Sequence, residues 1–88
     1  MATEVTISKI NWGNSPASAQ IVTIEYKLWS SSSWTVVDSG VNVNTDGDIT
    51  DSPLPSVSGL TPNELYYIRA YNECSSPLEY SPIETFNT

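Results

Sequence analysis

The stretch VTIEYKLWSSSSWTVV, residues 22–37, leaves this chain few folds to choose from. Val22, Ile24, Tyr26 and Leu28 recur at period two, with Thr23, Glu25 and Lys27 between them. That alternation predicts a half-buried strand. Four serines between Trp29 and Trp34 predict a hairpin connection, so the flanking segments should be antiparallel neighbours. A flexible linker fits less well, because both flanks favour strand.

No segment sustains a helical period. In EVTISKINW, residues 4–12, Val5 and Ile7 share one face while Ile10 and Trp12 share the other. A bulge near Ser8 and Lys9 would reconcile the two. GNSPASA reads as the loop behind it, and TDGD as a turn at Asp46 and Gly47. In DSPLPSVSGL, Pro53 and Pro55 exclude a central strand and predict an edge strand or extended loop. ELYYIRAYN is a fifth strand, and SPIETFNT a short last one. Such spacing predicts an all-β protein, an antiparallel β-sandwich of six to seven strands forming one domain over residues 1–88. A small closed barrel is the second choice.

Composition narrows the function classes. Ten acidic residues face only Lys9, Lys27 and Arg69, a formal net charge of −7. Three scattered cations cannot neutralise a phosphate backbone or hold an anionic bilayer, so neither nucleic acid nor membrane is an expected partner. No run approaches the roughly 18 apolar residues of a spanning helix. The N-terminus lacks the basic, apolar and small-residue order of a secretory signal, and the chain reads as a complete product. Cys74 is alone and reads as a packing residue.

Catalysis has little to work with. The chain has no histidine, nothing sets Lys9 or Lys27 beside a serine, and no cleft is evident for a carboxylate pair. Neither enzymatic activity nor a cofactor is expected. The sharpest chemical candidate is NVNTDGDITD, residues 42–51, where Asn42, Asn44, Asp46 and Asp48 offer oxygens around Gly47 in the manner of a calcium loop. Pro53 stands where that loop would need a bidentate glutamate. A β-turn explains the same residues with fewer demands, so a metal is not expected.

GLTPNELYYIRAYNE, residues 59–73, resembles the crossing from strand E to strand F of a fibronectin type III domain. In that family a Gly-Leu-x-Pro turn precedes a tyrosine whose hydroxyl bonds back to the turn. The resemblance makes Leu60 and Pro62 the turn residues and Tyr66 the corner, its phenol donating to backbone near them. VTIEYK is similar to strand C, SWTVV to the strand after it, SPIETFNT to strand G, and INW to the end of strand B, with Trp12 as the core tryptophan. Strand A would then be short or missing, and Ser8 falls where strand B should carry a hydrophobe. The resemblance spans nearly the whole chain. It implies a non-catalytic scaffold whose function lies in surface contacts.

Tyr67, Arg69 and Tyr71 should then point outward from strand F, with Trp29 beside the serine hairpin. Tyr, Trp and Arg are enriched at protein interfaces, so these four are the expected contact residues for other subunits of an assembly. A glycan platform is the weaker use of the same aromatics. The resemblance and the acidic, Ser/Thr/Asn-rich surface suit a virion-associated protein of a bacteriophage, decorating a capsid or belonging to a tail. The alternative is an accessory module of a larger secreted bacterial protein, binding glycan or spacing a catalytic domain.

Overall fold

The structure, a computed structural model, describes residues 4–10, 20–74 and 79–88. Trp12, the expected core tryptophan, lies outside them. The strands are β1 (Val5–Thr6), β2 (Gln20–Leu28), β3 (Thr35–Val43), β4 (Ser56–Val57), β5 (Leu65–Asn72), β6 (Glu79–Tyr80) and β7 (Glu84–Asn87). One sheet pairs β1 with β4. The other runs β3–β2–β5, with β6 and β7 sharing the far edge of β5. Every pairing is antiparallel, and the two sheets pack into a β-sandwich. No helix among the described residues is long and apolar enough to cross a membrane.

The serine segment closes the β2–β3 hairpin. The Ser31 amide donates to the Leu28 carbonyl at 2.9 Å, and Lys27 Nζ reaches the Ser31 carbonyl at 3.1 Å. The register runs from Tyr26 opposite Thr35 to Gln20 opposite Val43, with two shifts. Between the pairs Ile24–Asp38 and Val22–Val41, β3 spends one residue more than β2. Gly40 absorbs the excess with φ of 64°, a left-handed conformation that glycine adopts without steric cost.

The last segment is divided rather than continuous. β6 keeps one register against β5 and β7 keeps another, one residue apart, with Ser81, Pro82 and Ile83 between them. Proline has no amide to offer the ladder. At the slip the Ser81 amide donates to the Ala70 carbonyl, and the Ser81 hydroxyl accepts from the Ala70 amide, both at 2.8 Å. A buried side-chain oxygen thus takes a backbone carbonyl's place.

The core lies between the sheets. Val22, Ile24, Val41, Val43 and Ala70 are fully or almost fully enclosed on the larger sheet. Ile7, Ile10, Ile49, Val57 and Leu60 meet them from the other side. Ile7 and Ile10 are both buried although three residues apart, while Ser8 and Lys9 between them are exposed. The ladder is interrupted there: Thr6 pairs with Ser56, and the next bridge joins Lys9 to Asp48. This irregularity turns both isoleucines into one core.

Tyr66 is 6% exposed, stacked on Phe86 at 5.5 Å. Its Oη accepts the Thr61 amide at 2.9 Å, between a buried Leu60 and an exposed Pro62. The phenol is therefore the acceptor in this bond, not the donor expected from sequence. Thr88 closes the same corner: its hydroxyl accepts from the Glu64 amide at 3.0 Å and donates to the Thr61 carbonyl at 2.6 Å.

Candidate functional site: the outer face of the larger sheet

Strand alternation sends Thr23, Glu25 and Lys27 of β2 away from the core. Antiparallel register sets each against a residue of β5: Thr23 against Tyr71, Glu25 against Arg69, Lys27 against Tyr67. Residues directly opposite in a ladder share a face, so these six form one surface. Tyr80 joins it opposite Tyr71, and Val36 opposite Glu25.

Arg69 organises the centre. Its Nε donates to Glu25 Oε1 at 2.8 Å, with the two side chains 23% and 13% exposed. Its guanidinium carbon lies 4.1 Å from the centre of the Trp34 ring and 4.3 Å from that of Tyr80. A planar, weakly hydrated cation suits such a place better than an ammonium would. Lys27 Nζ sits 5.2 Å from the Trp34 ring and 5.7 Å from that of Tyr67, and Tyr71 meets Tyr80 at 5.4 Å. The face is thus a half-buried layer of rings and cations that joins β6, β5 and β2 to the residue just ahead of β3.

Beside this layer lies a polar brace. Glu73 Oε2 accepts from the Thr23 hydroxyl at 3.0 Å and from the Gly40 amide at 2.7 Å. The carboxylate thereby reaches from the end of β5 across β2 to the bulge of β3. Thr23 is buried beneath it.

Of the residues singled out from sequence, Tyr67, Arg69 and Tyr71 are brought together here, each half-buried. Trp29 stands apart at the hairpin end, 53% exposed, its amide held by the Leu65 carbonyl at 3.0 Å. Trp34, which flanks the serine hairpin at the other end from Trp29, belongs to the layer. Lys27 and Tyr80 belong to it too, although sequence reasoning did not assign them to a site. Their signal was the register of β2 against β5 and of β6 against β5, and only the first could be guessed from alternation. Ile21, Val36 and Tyr80 give the face an exposed apolar margin.

The calcium-like segment is built as a turn. Asn44 Oδ1 accepts the amides of Asp46 and Asp48 at 2.9 and 3.0 Å, and the Gly47 amide donates to the Asn44 carbonyl. Asn42 gives its side-chain amide to Asp51 Oδ1 and its backbone amide to Oδ2. These two bonds, the side-chain one foremost, hold the Asp51 carboxyl below the ordinary aspartate value. Among the described residues, no three His, Cys, Asp or Glu side chains converge as a metal-ligand set.

The charge distribution follows from these contacts. Lys9 lies 3.8 Å from Asp48, Arg69 is tied to Glu25, and Lys27 is spent on rings and a carbonyl. All three cations of the chain are engaged, which leaves the rest of its surface acidic. In comparison with known proteins, no family model matches the chain and no curated protein matches it.

Proposed function

We propose that the chain is a non-catalytic interaction module of fibronectin type III kind, working as a virion-associated protein of a bacteriophage through contacts with other protein subunits. The observation that carries the reading is the outer face of the larger sheet. There a layer of rings packed around Arg69, exposed at Tyr80, is bordered by exposed Ile21 and Val36. Aromatic and arginine side chains held in place lose little freedom on binding, which is what a protein contact needs. The family assignment draws support from strand order: β2, β5 and β7 lie together like strands C, F and G, and β1 pairs β4 like B and E. The tyrosine at the start of β5 bonds to its turn in the place of that family's corner, although here its oxygen accepts the Thr61 amide.

Quantitative mass spectrometry of purified particles from the encoding genome tests the reading. The expected result is the chain at a fixed stoichiometry to the major structural proteins, with its gene among theirs. Its absence from particles, or a reading frame that continues into a secreted polysaccharide-degrading enzyme, would overturn the virion assignment.

A further inference from the structure

The outer edge of β1 is uncovered among the described residues, and it borders a cleft. β1 bonds β4 on one side only. The pairs Val5–Val57 and Thr6–Ser56, with the Ile7 amide donating to the Pro55 carbonyl at 2.8 Å, fix the alternation. Thr6 is then the residue whose own N–H and C=O point away from β4. On the opposite bank β7 pairs β5 on one side only. The Thr88 amide donates to the Glu64 carbonyl, which sets Thr85 in the equivalent outward position.

Between these banks lies a cleft of about 250 Å³, with Ile7, Ala70 and Phe86 among its apolar lining and Thr6, Thr85 and Glu84 among its polar residues. Its volume is below the roughly 300–1,000 Å³ of small-molecule pockets. An open ladder on each bank and an apolar floor are what a sheet edge offers to an added strand.

Charge selects the occupant. Glu84 lines the cleft and Glu4 adjoins β1, and neither has a cationic partner among the described residues. Lys9 and Arg69 also line it, but Lys9 is paired with Asp48 and Arg69 with Glu25. A second copy of this chain would bring another −7 to a surface whose cations are already engaged.

We infer that this cleft receives an extended strand from a partner protein, with apolar side chains at alternate positions facing the core and lysine or arginine between them. The strand pairs with the edge of β1 at Thr6. Val5 to Ile10 line the bank over six residues, a length that a segment of five to seven residues covers at about 3.3 Å per residue, with its ladder bonds made at Thr6. The inference rests on the interaction-module reading and extends it to a second surface.

The probe is a capped heptapeptide of alternating lysine and valine, with a glutamate–valine heptapeptide as control. Binding is followed by amide chemical shifts and titration calorimetry on the full chain. The basic peptide should bind and shift the amides of Thr6, Ile7 and Thr85, while the acidic one should not bind. Thr6→Pro removes the outward amide and no bond to β4, and should abolish binding. Glu84→Lys, a change at an exposed position that should leave the fold intact, should weaken binding at least tenfold. Asp46→Lys, on the turn, should weaken it far less. Equal affinity for both peptides would overturn the inference, as would binding unchanged by Glu84→Lys or self-association that Thr6→Pro abolishes. Shifts confined to Trp34, Tyr67 and Tyr80 would overturn it too, and would leave the outer-face reading standing.

Discussion

Tyr66 and Tyr67 are neighbours on one strand and end in opposite environments. Tyr66 stacks on Phe86 inside the sandwich, and its oxygen holds the Thr61 amide. Tyr67 lies half-buried on the outer face, near Lys27. Both are ordered by contacts across strands, yet the forces differ. Inside, burial and one backbone hydrogen bond fix the ring. Outside, cations on adjacent strands hold rings that water still reaches. The inner face explains why the chain folds. The outer face combines contacts across strands with access to water.

The largest expected effect lies inside. Ile24→Ala removes a fully enclosed side chain and should cost about 2–5 kcal/mol in chemical denaturation. Tyr66→Phe keeps the ring and strips the oxygen, leaving the Thr61 amide without its acceptor. A loss of about 1–3 kcal/mol is expected, and melting like the parent would break the claim that the corner is held by this bond.

The outer layer should give smaller numbers that respond to salt. Arg69→Met leaves Glu25 unpaired at partial exposure and should cost about 1–2 kcal/mol, since bonds to charged groups are the stronger kind. A double-mutant cycle with Glu25→Gln separates the ion pair from the ring contacts. Lys27→Ala should cost about 0.5–1 kcal/mol, the scale of an exposed cation–π contact. If these two variants matched Ile24→Ala, the outer layer would be a second core and the contrast between the faces would vanish.

The smallest effect is on the turn. Asp51 is held below the ordinary aspartate value by Asn42, so its contribution is fully present above that value and is lost as pH falls through the lowered one. An amide titration should show the Asn42 resonances moving in that acidic window and staying fixed between pH 6 and 8. Asn42→Ala should return the Asp51 titration toward the ordinary value.

The β2–β3 hairpin was legible because alternation and a polar turn sit within 16 residues, so the signal is local. The shift of parity across Ser8 and Lys9 was legible for the same reason. The bulge at Gly40 was not, because Glu73, which accepts its amide, comes from the end of another strand 33 residues on. The break at Pro82 was hidden in the same way: a hydroxyl of Ser81 completes the ladder there, and no hydroxyl announces that role in sequence. On the outer face, Tyr67, Arg69 and Tyr71 could be grouped by period two along one strand. Trp34 could be placed beside the hairpin but not against Arg69, and Tyr80 could not be placed at all, since only register across strands brings them to Arg69. Direction also eluded the sequence at Tyr66, where burial of the phenol follows from patterning but the sense of its hydrogen bond does not.

The central claim is that the chain works through surface contacts on a sandwich already stable without them. On the proposed virion reading, the direct measurement is occupancy of purified particles by a Trp29→Ser, Val36→Ser double variant. Both residues are more than half exposed, and neither is one of the rings stacked on Arg69, Val36 lying at the margin opposite Glu25. The account predicts stability within about 0.5 kcal/mol of the parent, as for surface positions in general, together with loss of the chain from particles. A folded variant retained at full stoichiometry would contradict it.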